Sequence, residues 1–359
     1  MTATEPLTAI AAEEQAQLDA LYAAFARAHL SPLWTQRAGL MPPAPQPDAV
    51  PMLWRWSTLH PLAQRAGALV PVGRGGERRA IALANPGLPG TAYATPTLWC
   101  AIQYLGPREE APAHRHTQTA FRFVVEGEGV WTNVDGDPVA MRRGDLLLTP
   151  GMHLHEHHNT TDRPMAWIDG LDIPLVRQID AGFFEFGPAE LSTRQTPAHS
   201  RSERLWGHPG LTPVAAPPGR CSPLMAYRWE HTDAALAAQL ELEADGYPGV
   251  AGPGHAAVRF TNPATGADCL STIRCEMHRL RPGAATATTR VAGSAVWQIF
   301  AGDGLVEVGR ERYEVGVGDL FVVPSWAPLR ISAGGGLDAF RFSDDPVFDA
   351  LGLARREIS

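Results

Sequence analysis

Two histidines one residue apart, His114 and His116, stand in the stretch Ala113-His114-Arg115-His116-Thr117-Gln118. Side chains alternate between the two faces of a β-strand, so this pair points to one side. A third histidine, His155, follows the turn Gly144-Asp145-Leu146 and Pro150, and Asn159 comes four residues later. Three imidazoles delivered from neighbouring strands offer a redox metal three neutral nitrogen donors and leave coordination positions open. The spacing of the whole set carries this reading, because the chain has 13 histidines and the count alone says little.

Such a set needs short strands and tight turns to hold it, and the composition supplies both. The chain has 359 residues, enough for two domains with a substantial core. Its 35 glycines and 32 prolines favour many short strands joined by turns. A formal net charge of −8 argues against nucleic acid or an anionic membrane as a partner, so an anionic substrate would need a local arginine. Cys100, Cys221, Cys269 and Cys275 form no C-x-x-C pair and read as reduced thiols of a cytoplasmic protein. Neither a secretory leader nor a membrane-length apolar run is visible.

Helical spacing over 8–30 predicts an amphipathic N-terminal helix, followed by a proline-rich arm bearing Trp34, Trp54 and Trp56. These tryptophans suit packing on the same domain or on a neighbouring subunit. The divisions read as 1–64 for helix and arm, 65–175 for a metal-binding barrel, 176–260 for a connection containing a helix, and 261–359 for a second barrel without metal. An internal repeat supports the two barrels. Val125-Glu126-Gly127-Glu128-Gly129 is echoed by Phe300-Ala301-Gly302-Asp303-Gly304, and Gly144-Asp145-Leu146 with Pro150 by Gly318-Asp319-Leu320 with Pro324. At the same offsets His114, His116 and His155 become Thr289, Val291 and Leu329. The second copy keeps the turn residues and loses all three imidazoles together, which assigns the metal to the first.

His114-x-His116, Gly127, and Gly144-x5-Pro150-x4-His155-x3-Asn159 resemble the two signature motifs of the cupin superfamily, and the repeat makes the chain resemble a bicupin: mainly β, with two antiparallel jelly-roll barrels, an N-terminal helical segment and helical connections. The glutamate ligand usual in the first motif is absent, its positions being Ala120 and Phe121. Three neutral histidines leave a metal with its full positive charge, which an anionic chelating substrate can offset. This variant resembles the gentisate and salicylate ring-cleaving dioxygenases. Asn85-Pro86-Gly87-Leu88, Phe121-Arg122-Phe123-Val124-Val125-Glu126-Gly127, Trp167-Ile168-Asp169-Gly170-Leu171-Asp172 and Gly182-Phe183-Phe184-Glu185-Phe186-Gly187 carry the likeness, the second and fourth leaning to the salicylate branch.

The resemblance implies an Fe(II) cofactor held by His114, His116 and His155, and O2-dependent cleavage between the carboxyl- and hydroxyl-bearing carbons of salicylate, gentisate, 5-nitrosalicylate or 1-hydroxy-2-naphthoate. A gentisate-specific enzyme and a non-catalytic module sensing an aromatic acid are the competing readings. The resemblance also implies a homotetramer. Arg122 shares strand parity with the two histidines if no bulge intervenes, and a guanidinium suits a substrate carboxylate. By resemblance Arg78 clamps the same carboxylate, with Arg79 its neighbour and rival. His157 would take or hold the phenolic proton, Gln103 and Trp99 would wall the pocket, and Asp169 would orient an arginine or a ligand. His153 is rejected as a ligand because it follows Pro150 too closely, and His158 is expected to face solvent. Met152, His153, Leu154 and His158 depart from the family pattern beside the ligand, which bears on the ring substituents accepted.

Overall fold

The computed structural model describes residues 12–36, 40–70, 79–188, 197–215 and 219–359. The chain divides into two compact units, Met1–Gln46 and Pro47–Ser359. In the first, a helix spans Ala12–Arg27, within the predicted 8–30, and none of its residues is buried. Among the described residues no helix is long and apolar enough to cross a membrane.

The second unit is mainly β, as the sequence predicts, and its two central sheets match strand for strand. One runs Ala226–Tyr227, Leu146–Thr149, Ala120–Glu126, Met165–Leu171, Trp99–Leu105, Ala80–Ala82. The other runs Met52–Trp54, Leu320–Val323, Ala295–Val308, Leu329–Ser343, Arg274–Leu280, His255–Arg259. The repeat reappears in the backbone. Gly144 and Gly318 turn at φ +88° and +90°, and Met152 and Trp326 share the left-handed region at φ 65° and 66°. The two central sheets pack through one shared core, where Phe123 stacks on Phe340 at 4.0 Å and Phe121 meets Phe342 at 4.9 Å.

Alternation along Ala120–Glu126 decides what the cavity receives. Phe121 and Phe123 go into the shared core, whereas Ala120 and Arg122 face the opposite side, into the first barrel. A separate sheet closes that barrel, ordered Phe184–Phe186, Glu110–His116, His155–Asn159, Glu128–Val134, Asp137–Arg142.

Each barrel holds a strand and helix that precede the other one. Met52–Trp54 pairs with Leu320–Val323, and Ala226–Tyr227 pairs with Leu146–Thr149. The helices that follow, Trp56–Leu69 and Trp229–Ala244, start at an Arg-Trp pair anchored on the repeated Gly-Asp turn. Asp319 accepts from the Trp56 backbone N–H at 2.9 Å and from Arg55 at 2.8 Å; Asp145 accepts from the Trp229 N–H at 3.0 Å and from Arg228 at 2.6 Å. The glycine beside each aspartate has no side chain because the tryptophan occupies that space: a Cβ on Gly144 would lie 2.7 Å from Trp229 Cγ. Trp54 and Trp56 thus pack against the core of their own chain.

The two clasps differ in burial. Arg228 is 9% exposed and also grips Glu203 at 2.6 and 2.7 Å, whereas Arg55 is 46% exposed. Arg228→Met strands two buried carboxylates and is expected to cost about 3–5 kcal/mol of unfolding free energy. Arg55→Met is expected to cost about 0–1 kcal/mol. Urea denaturation of both variants checks this, and equal losses would contradict it.

Candidate metal centre

His114 and His155 sit directly opposite each other in the register of Glu110–His116 and His155–Asn159. A register shift between Ala111 and His114 marks a bulge there, a device that re-aims side chains at a barrel rim. Together with His116 the two bring one ligand atom each to within 4.8 Å of one another. The aim is set locally by the backbone: Nδ1 of His114, His116 and His155 lies 2.9, 2.8 and 3.0 Å from the carbonyl oxygens of Pro112, Gln118 and His153. A carbonyl only accepts, so each Nδ1 carries a proton and Nε2 is the atom left to ligate. Burial, then Arg122 and the other two imidazoles, hold His155 well below the ordinary histidine range, so it stays neutral. Its Nε2 is buried with no hydrogen-bond partner, as a metal ligand would be in the absence of its ion. A divalent metal fits this donor set.

The histidines open into a cavity of about 750 Å³, lined also by Trp99, Gln103, Ala120, Arg122, His157 and Asp169. Arg122 is buried, its Nη1 bonded to Thr149 Oγ1 and its Nε 3.5 Å from Asp169 Oδ1. That Nε–H has no hydrogen-bond partner, so a buried cationic donor is left for a ligand. Burial pushes Asp169 up to about 6 against the pull of Arg122 and of the Trp167 indole, which donates to it at 2.9 Å. His157 Nδ1 lies 2.8 Å from Thr132 Oγ1, and that hydroxyl donates to Met141 Sδ at 3.2 Å. The threonine's one proton is then spent, so His157 donates through Nδ1 and its Nε2 is an unprotonated base. Burial first, and Arg122 second, keep the ring neutral.

A family model described as a cupin domain matches residues 101–173. Gentisate 1,2-dioxygenase of a Streptomyces species is 69% identical over 342 residues, covering 95% of this chain and 96% of that protein. The chain belongs to the gentisate and salicylate 1,2-dioxygenase family. The 5-aminosalicylate 1,2-dioxygenase of a Comamonas species is 36% identical over 96% of this chain and 91% of its own length. The crystal structure of salicylate 1,2-dioxygenase from Pseudoaminobacter salicylatoxidans with gentisate superposes with a TM-score of 0.95 at 56% identity, over 99% of this chain and 97% of that one. The protein is therefore a bicupin ring-cleaving dioxygenase with a metal centre, and its substrate class is small aromatic acids.

The residues singled out from sequence meet the structure in different ways. Arg122 reaches the cavity by another route than strand parity: Thr117–Thr119 carries the chain from one sheet to the other, and Arg122 faces the histidines across the barrel. Arg78 lies outside the described residues. Arg79 is buried and committed elsewhere, to Glu109 and to the carbonyls of Val70 and Tyr104. His153 lies away from the cavity with Nδ1 3.2 Å from the Gly151 carbonyl. His158 points away from the cavity and is only partly solvated, its side chain 14% exposed; it stacks on Trp131 at 4.1 Å and sits 3.3 and 3.2 Å from Glu110 and Glu156. The cross-strand neighbour Thr132 went unrecognised, since only register reveals it. Phe184 was visible as a motif but not as a wall; its ring stacks at 5.6 Å on His114.

Replacing His114, His116 or His155 by alanine is expected to abolish stoichiometric metal binding, while His153→Ala and His157→Ala retain it. Elemental analysis after reconstitution distinguishes the two groups, and a His155→Ala protein with full metal would contradict the assignment.

Proposed function

We propose that this protein is an Fe(II)-dependent 1,2-dioxygenase that cleaves the ring of salicylate or a substituted salicylate, gentisate included, between the carboxyl- and hydroxyl-bearing carbons. The observation that carries the proposal is the pairing of three histidines with a buried arginine that has an unspent donor, in one cavity. No described carboxylate joins the histidines, and Ala120 lines the cavity where relatives of the broader fold carry one. The site therefore favours a substrate that brings its own negative charge. An Fe(II) ion held by His114, His116 and His155 supplies the redox chemistry that activates O2.

The chain's own residues bind and orient. Arg122 Nε–H receives the carboxylate, and its guanidinium is held in place by Thr149 and Asp169. Arg78 is a second carboxylate clamp. His157 Nε2 takes the phenolic proton, with Thr132 fixing the tautomer. Trp99, Gln103 and Phe184 shape the slot in which the ring lies. A cytoplasmic location suits the four free thiols. Assembly into a homotetramer suits the exposed Phe183 and Phe186 at an edge strand.

Iron-loaded protein is expected to consume O2 with salicylate and gentisate, one O2 per ring, and no uptake on any hydroxybenzoate with iron bound would overturn the reading. A gentisate-specific enzyme would act on gentisate alone. Arg122→Met is expected to raise KM about tenfold to a hundredfold by deleting a charged hydrogen bond. Asp169 gives up its charge as the pH falls through about 6, leaving Arg122 without its counter-ion. At constant iron content kcat/KM should therefore fall below that pH, and Asp169→Asn should remove the inflection.

A further inference from the structure

We propose that the second barrel is a ligand-binding site in its own right, without metal, for a single-ring hydroxylated aromatic carboxylate. Its strands enclose a cavity of about 540 Å³ containing Thr289, Val291 and Leu329, the positions that answer to the three metal ligands. Thr289 pairs with Leu329 just as His114 pairs with His155, so the repeat holds to the residue. The cavity that lacks the three imidazoles carries another set of polar residues.

Register shows the exchange. In the first barrel Arg122 stands opposite Asp169; in the second Trp297 stands opposite Arg341, which in turn stands opposite Glu276. Arg341 is bonded to Glu276 and lies 3.0 Å from Asp345, while His278 Nδ1 lies 3.0 Å from His255 Nε2. His278 Nε2 is 3.6 Å from Glu276, too far for a hydrogen bond, and the three residues form no metal-binding group.

Three residues lining this cavity each carry a buried polar atom with no hydrogen-bond partner: Trp297 Nε1, His278 Nε2 and Asp345 Oδ1. Trp297 is only 5% exposed. A buried indole N–H left unpaired is costly, so it calls for an acceptor, and Asp345 Oδ1 calls for a donor. A carboxylate accepts from Trp297 and from a protonated His278 Nε2, and a ring hydroxyl donates to Asp345. Val291, Leu329 and Ile331 give the ring an apolar wall. Three of the lining arginines are already matched by carboxylates, Arg274 by Asp268 and Asp349, Arg341 by Glu276 and Asp345, and Arg355 by Glu357, so the ligand carboxylate is read by the Trp297 and His278 ring N–H groups. None of this depends on the iron-centred reading above.

Anaerobic calorimetric titration of the iron-loaded protein with salicylate tests the proposal. Two sites per chain are expected. Val291→Phe should fill the second cavity and leave one site with iron content unchanged, and Trp297→Phe should weaken one of the two sites about tenfold by deleting a single hydrogen bond. One site per chain in the unaltered protein, or a second site insensitive to both substitutions, would overturn it. His155→Ala separates the two readings: it should remove the iron-dependent site and leave the one that Val291→Phe abolishes.

Discussion

The proposed metal chemistry of this protein depends on three hydrogen bonds from imidazole Nδ1 atoms to backbone carbonyls. They fix the tautomer, so that all three Nε2 atoms present lone pairs to one point. Because each carbonyl lies two residues from its histidine, the aim is built into the local backbone and needs no partner side chain. Burial keeps His155 neutral, and the same burial lets Arg122 and Asp169, 3.5 Å apart, interact through little water. The cavity therefore offers a metal neutral nitrogen donors and offers an aromatic acid a cation whose nearest donor is unspent.

Such a site works only if its strands cannot drift, and the exchange of strands and helices between barrels supplies that rigidity. Each repeated Gly-Asp turn grips the Arg-Trp start of a helix that precedes the opposite barrel. The turns are thus joints between the barrels as well as hairpins within them. The Phe121–Phe342 and Phe123–Phe340 contacts lie on the reverse face of the strand that delivers Arg122. Packing between the barrels and orientation of the proposed substrate clamp, Arg122, are consequently two faces of one strand.

What was legible in the sequence was local and periodic. His-x-His, the turn glycines and the strand alternation follow from period-two geometry, and the repeat offset carried across to register pairs such as Thr289 with Leu329. Contacts made across strands left no mark of their own. Thr132 beneath His157 and Trp131 beneath His158 are visible only once register is known. Arg122 met the cavity for a reason that parity does not contain, since the chain changes sheets before reaching it. The Arg55-Trp56 and Arg228-Trp229 clasps were equally hidden, because the two dipeptides lie far from the turns they grip. The second barrel looked inert when judged by the histidines it lacks, yet its own histidines, His255 and His278, come from strands outside the metal motif.

Three histidines and Arg122, acting together, are proposed to make this site a ring-opening one. Mass spectrometry of the product formed from salicylate by the iron-loaded protein under isotopically labelled O2 tests it most directly. The expected result is a ring-opened product carrying both atoms of one O2 molecule, apart from exchange with water. An intact ring, or a single labelled oxygen after correction for that exchange, would contradict it.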